Sequence, residues 1–293
     1  VGCARPDGPD GVAVVDKDAG WTSHDVVAKA RGILGTRKVG HSGTLDPDAT
    51  GVLVLGVGRA TRLLRFLQLL PKSYVAEIRF GIETTTLDAA GEVTATHDMT
   101  GLTPTDVAAA ATGFVGDIRQ VPPMVSALKV GGRRLHELAR EGVEVEREAR
   151  PVHVARFDVA PTHDPLVWRA EVDCSSGTYV RTLAADLGHA LGGGAHLASL
   201  RRTAVGRFTL DDARTLEEIE LLPMRDAMRG FASVAVGDDV VARVRVGAVL
   251  GPDDLAVEGP PPWAVLDEQG DLLAVYEAHR DGVRRKPSVV LSG

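Results

Sequence analysis

Between residues 52 and 57 the chain runs Val-Leu-Val-Leu-Gly-Val without a polar side chain, which predicts a fully buried strand. Residues 11–16, Gly-Val-Ala-Val-Val-Asp, predict a second strand, and residues 17–20 a turn after it. Thr22 followed by Asp25 resembles a capping box with Asp in place of Glu, and Val26, Val27, Ala30, Ile33 and Leu34 continue at helical spacing. Over residues 59–70, Leu63, Leu64, Leu67 and Leu70 share one side of a predicted helix and Arg59, Arg62 and Arg65 the other, with Pro71 as the stop. The pattern then switches to period two. Tyr74, Ala76, Ile78 and Phe80 point to one face and Val75, Glu77 and Arg79 to the other, as in a half-buried antiparallel strand.

Further along, Thr103-Pro104 opens a predicted helix through residue 112, and residues 133–141, closed by Gly142, predict another. Residues 152–160 and 167–174 read as strands, and residues 175–182 turn into a helix reaching about residue 191. Residues 216–228 read as a helical connection. From about Ser233 short strands alternate with turn signals, and residues 263–276 form a hairpin pattern turning near Gln269-Gly270. The expected division is a frayed segment 1–10, a main domain 11–230 and a small β domain 231–293.

At 293 residues and 44% hydrophobic content, the chain can build one large core and a satellite. No apolar run reaches the roughly 18 residues of a membrane span, and no secretory signal pattern opens the sequence. Cys3 and Cys174 are far apart and lack metal-ligand spacing. A cytoplasmic protein without structural disulfides is the expectation. The formal net charge of -7 sits entirely in residues 208–293, which hold 9 Lys+Arg against 16 Asp+Glu; the first 207 residues are balanced at 24 and 24. Within that neutral part lie basic clusters: Arg59, Arg62, Arg65 and Lys72; Arg133, Arg134 and Arg140; and Arg201, Arg202 and Arg207 after His196. Such clusters suit a solvated helix face or a phosphate backbone.

The chemistry concentrates in residues 38–58, where Gly40, Gly43 and Gly51 surround the step Asp46-Pro47. Proline holds the preceding residue extended, so Asp46 is presented on a stiff turn before the buried strand. Asp before Pro is also a common turn starter, and the turn alone does not separate a nucleophile or base from a structural residue.

The run Gly-His-Ser-Gly-Thr-Leu-Asp-Pro-Asp-Ala-Thr-Gly-Val-Leu over residues 40–53 resembles the signature of the TruB family, the tRNA pseudouridine-55 synthases. Residues 15–27 resemble the family's opening, with Lys17-Asp18 where Lys-Pro is usual. Residues 81–88 resemble its Gly-x-x-Thr-x-Thr-x-Asp segment, and residues 122–129 its Pro-Pro-x-Tyr-Ser-Ala-x-Lys pattern with Val125 in place of tyrosine. Gly177-Thr178-Tyr179-Val180-Arg181 and residues 196–202 are further matches.

The resemblance implies an α+β pseudouridine-synthase fold, with a mixed, mainly antiparallel sheet, flanking helices and a PUA-like C-terminal β domain. It implies isomerisation of the T-loop uridine at tRNA position 55, on a nucleotide removed from its stack, with no cofactor and no metal. Asp46 would act on the nucleoside and Arg181 would keep it ionised. Tyr74 would stack on the base, Tyr179 line the pocket, Leu200 pack beside the base and His41 enter the space the nucleotide leaves; Arg202 would contact the RNA. The tRNA T-arm is the expected partner, the protein a monomer with no obligate protein partner. One rival is an RNA-binding or RNA-folding protein on the same scaffold, with catalysis dispensable. A second, a glycosidase or nucleosidase, would want a second carboxylate, for which only Asp88 stands out. A third would modify another RNA within a multi-protein particle.

Overall fold

The computed structural model describes residues 8–126, 129–130, 132–134, 141, 143 and 145–291. The predicted strand 11–16 is β1 (Gly11–Lys17), and the predicted helix after it is α1 (Ser23–Ile33), with the Thr22–Asp25 capping box closed in both directions. A short β2 (Val39–His41) leads into the loop carrying Asp46, and the apolar run is β3 (Thr50–Val57), buried along nearly its whole length. The period-two strand is β4 (Lys72–Phe80), with Ala76, Ile78 and Phe80 buried and Glu77 exposed. A hairpin of β5 (Ile82–Thr84) and β6 (Val93–Thr96) follows, then α2 (Pro104–Thr112) and β7 (Gly116–Gln120).

After a two-residue ladder, β8 (Lys129–Val130) with β9 (Arg133–Arg134), the chain forms β10 (Arg150–Pro161), β11 (Val167–Cys174), α3 (Val180–Ala190), β12 (Ala195–Val205) and β13 (Phe208–Thr209). The large sheet has the order β1-β3-β12-β4-β11-β10-β7, with β2 on β3 and β13 on β12. It is antiparallel except where β12 lies parallel to β3, pairing Arg201 with Thr50 and Arg202 with Gly51. That parallel contact brings the Asp46 loop, at the head of β3, against the middle of β12. One side of the sheet is filled by Ile78, Phe80, Trp168, Val172, Leu183 and Leu187, which seats α3 on the strands.

Several expectations need correction. Residues 59–70 do not form one helix; a 3-10 turn over Gly58–Leu63 precedes a single helical turn, Leu64–Gln68. Residues 133–134 are in the β8–β9 ladder instead of a helix, and 135–140 with Gly142 lie outside the described residues. The connection 216–228 is mostly irregular, ending in a 3-10 turn over Met224–Met228. It runs along the free edge of β1, where Val12 and Leu222 exchange backbone hydrogen bonds of 3.0 and 2.8 Å, so edge pairing outweighed the helical period. At the N-terminus, Asp10 is anchored by the Arg59 backbone N–H at 2.6 Å and by its guanidinium.

The C-terminal part is a four-stranded sheet in the order β14 (Ser233–Ala235), β15 (Trp263–Leu266), β16 (Leu272–Ala278), β17 (Arg285–Val290). The hairpin turns at Gly270, φ +81°. A helix that the sequence reading lacked, α4 (Asp238–Arg245), packs Val240, Val241 and Val244 against Val265 and Tyr276. The other face of this sheet, through Ala264, Val275 and Val289, shares a core with Val12, Val52 and Leu63. The basic cluster of residues 59–65 meets it: Arg59 donates to Leu291 O at 2.6 Å, and Arg62 and Arg65 donate to Val290 O and to Ser288 Oγ.

Candidate active site

The loop between β2 and β3 is braced from three sides. Lys17, almost fully buried, donates to Asp18 O, Trp21 O and Pro47 O at 2.7–2.9 Å. Ser23 Oγ accepts from the Leu45 N–H at 2.8 Å and donates to Leu45 O at 3.2 Å. Arg202, 1% exposed, donates to Val52 O, Gly43 O and Thr44 O at 2.7, 3.2 and 3.4 Å. Gly51 closes the loop with φ +101°, and a Cβ there would stand 2.1 Å from Arg202 O. Only glycine fits that approach. The braces fix the loop's backbone, and so fix where Asp46 points.

Asp46 meets Arg181 at the start of α3. The Nη2 of Arg181 lies 3.2 Å from each Asp46 carboxylate oxygen, and it also donates to Val125 O at 3.0 Å. Its Nη1 donates to Asp88 at 3.0 Å and to Thr86 O at 3.3 Å. Arg181 is only 5% exposed, while the Asp46 side chain is 42% accessible. One buried guanidinium therefore bridges two carboxylates, and the open one faces the cavity. Val125, the departure from the tyrosine pattern, contributes a carbonyl, which its side chain does not alter.

The Asp46 pKa is set by opposing influences, with Arg181 acting to lower it. Burial of the carboxyl raises it, Arg181 pulls it down, and the Asp88 charge pushes it up again; the net direction is upward. Sharing one cation between two acids weakens its hold on each.

Two recesses of about 270 Å³ each meet at Asp46, Arg181 and Leu200. The first is lined in addition by Tyr74, Tyr179, Arg202, Lys72 and Ser42. Tyr74 sits on β4 opposite Arg202 of β12; burial raises its pKa, and the positive charge of Arg202 opposes the rise. Tyr179 caps α3, its backbone held by Gln120 at 3.0 and 3.2 Å. The second recess is lined by Asp88, Thr86, Val125 and Leu197.

Of the residues expected at the site, Asp46, Tyr74, Tyr179, Arg181, Leu200 and Arg202 share one cavity. His41 does not line either recess; it ends β2, edge-on to His24 at 5.3 Å, with Nδ1 accepting from the Gly43 N–H. Arg202 lines the first recess with its guanidinium buried on loop carbonyls. Arg201 pairs with Asp16 at 2.7 and 3.0 Å. Sequence reading missed the braces Lys17 and Ser23; it singled out Asp88 as a carboxylate but not as the second acid on Arg181. The Thr-x-Thr-x-Asp spacing carried the signal for Asp88: Thr84 and Thr86 fold the loop onto it.

Residues 31–180 match the family model described as TruB family pseudouridylate synthase (N terminal domain), and residues 181–229 match the tRNA pseudouridylate synthase B C-terminal domain. The tRNA pseudouridine synthase B of Mycobacterium tuberculosis is 54% identical over 286 residues, covering 96% of this chain and 95% of that protein. That of Mycobacteroides abscessus is 50% identical over 291 residues, covering 96% and 95%. Among solved structures, a Cbf5-Nop10-Gar1 complex is similar with a TM-score of 0.72 at 27% identity, covering 94% of this chain and 84% of that one.

Proposed function

The chain belongs to the TruB family of pseudouridylate synthases, and from that premise we propose that it isomerises the T-loop uridine at position 55 of tRNA, with Asp46 acting on the nucleoside. The reaction breaks the N1–C1′ bond, joins C5 to C1′ and exchanges the C5 proton for one on N1. It is redox-neutral and keeps every heavy atom of the uridine.

The observation that carries the reading is the Asp46–Arg181 contact on the wall of a cavity that Tyr74 and Leu200 also line. Tyr74 offers a flat ring and Leu200 an apolar side chain to a base taken from its stack, and Asp46 stands within the same enclosure. Arg181 aims the carboxylate through its other three acceptors, which are all protein groups. The arrangement favours catalysis over a binding scaffold, since a carboxylate repels RNA phosphates and has no role in a pure RNA-binding surface.

The same proposal takes residues 11–230 as the catalytic unit and 231–293 as an appended β domain, in a cytoplasmic monomer that needs no protein partner. No described helix is long and apolar enough to cross a membrane. The test uses an unmodified tRNA transcript and one with cytidine at position 55, mapping pseudouridine by chemical labelling and primer extension. Product at that single uridine is expected, with none in the cytidine transcript; product elsewhere in the tRNA would refute the position.

A further inference from the structure

The cavity beside Asp46 contains a second group of charges that the isomerisation does not use. Lys72 and Arg202 both line it, with 6% and 1% of their surface exposed. Among the described residues, neither has a carboxylate at ion-pair distance, and the acids Asp46 and Asp88 are both engaged by Arg181. Arg202 is satisfied by loop carbonyls. Lys72 is not: its Nζ donates to Gln68 O and Leu70 O at 2.6 Å each, which leaves one of three ammonium protons without an acceptor among the described residues. Ser42, 1% exposed and lining the same cavity, has a hydroxyl with no partner among the described residues.

Strand register places these groups. Lys72 pairs with Val205 and Cys174, and Tyr74 with Arg202 and Val172. Lys72 therefore stands on the Tyr74 face of β4, one two-residue step away, about 6.8 Å. A buried ammonium with no acid opposite it is costly unless something else brings the negative charge. Burial, then the charge of Arg202, lowers the Lys72 pKa to about 8, and a bound anion would reverse that.

We propose that Lys72 binds a backbone phosphate of the RNA adjoining the nucleotide that enters the cavity. The inference rests on the RNA-modifying reading above. It makes Lys72 a substrate-binding residue that fixes how far the nucleotide strand is drawn into the site, with the base held one strand step further along against Tyr74.

The experiment compares wild type, Lys72→Met and Lys72→Arg on a T-arm RNA hairpin, natural or with a neutral methylphosphonate at the linkage 5′ or 3′ of the target uridine. Wild type is expected to lose about tenfold in affinity at one of these linkages, one charged contact. Lys72→Met should lose the same factor on natural RNA, show no further loss at that methylphosphonate, and have a log-affinity against log-salt slope shallower by about 0.7. Lys72→Arg should keep most of the affinity. Should Lys72→Met misfold, as melting curves would reveal, wild type alone decides by NMR of labelled lysine: the Lys72 pKa must rise on natural RNA and not on the modified one. A full methylphosphonate penalty retained by Lys72→Met at both linkages, or an unmoved lysine pKa, overturns the phosphate site. That result, with wild type still forming pseudouridine in the hairpin, leaves the functional reading standing; absence of product from wild type on tRNA overturns the reading itself.

Discussion

Replacing Asp88 by Asn perturbs the site without touching Asp46. Asp88 accepts from Arg181 Nη1 at 3.0 Å through one oxygen and from the Ala90 N–H at 3.1 Å through the other. Asparagine has one oxygen, so its NH2 must face either Arg181 or Ala90, donor against donor. The loss is one charge-assisted hydrogen bond, from the buried guanidinium or from the Ala90 N–H, about 1.5–3 kcal/mol. If that positioning is expressed in the transition state, kcat/KM falls about 10- to 150-fold near pH 7.5. The charge change acts in the opposite direction on the pH profile. Burial raises the Asp46 pKa, Arg181 lowers it and Asp88 raises it. Removing the Asp88 charge therefore lets Asp46 stay ionised to lower pH, and the acid limb of kcat/KM, which reports the free enzyme, moves down. Steady-state rates on a tRNA transcript between pH 5 and 8.5 measure both effects. An unchanged kcat/KM, or an acid limb displaced to higher pH, would refute the shared-guanidinium argument.

Other consequences are independent of it. Gly51→Ala forces a side chain into φ +101° and against Arg202 O; chemical denaturation should show a loss of about 3 kcal/mol or more, whereas Gly101→Ala, with open space around it, should change stability little. Lys72 titrates at about 8 when folded and near its ordinary value of 10.5 when unfolded. Between those values the unfolded chain binds more protons, so this group makes stability rise with pH. The unfolding free energy of wild type minus that of Lys72→Met should increase from pH 8 to 10.5 by up to about 3 kcal/mol; a flat or falling difference would show that Lys72 is not a buried cation.

Most strands and the first helix were legible because one physical signal dominated each: continuous apolar residues in β3, strict alternation in β4, a capping box at α1. The failures share a cause. Residues 59–70 have the look of one amphipathic helix, yet Arg59, Arg62 and Arg65 reach the C-terminal residues 288–291, and the segment begins as a 3-10 turn. Residues 214–222 follow the edge of β1, a tertiary demand that no local pattern records. The site was legible where a motif named the residue, as at Asp46 and Arg181. Its supports were not, because Lys17 and Ser23 act on a loop more than twenty residues away. The supporting role of Arg202 was hidden for the same reason: a cation in a basic cluster suggests RNA, and only its burial shows that it also holds Gly43 and Thr44. His41 stands within the central motif but packs edge-on against His24 and lines neither recess.

Asp46→Asn tests the central claim most directly. Asparagine keeps the size of the side chain and an oxygen toward Arg181 but removes the charge that acts on the nucleoside. With an unmodified tRNA transcript, wild type should give pseudouridine at position 55 and the variant none, while both bind the RNA with affinities within a few-fold of each other. Product formed by the variant at a rate near that of wild type would contradict the account, since the carboxylate would then have no part in the chemistry.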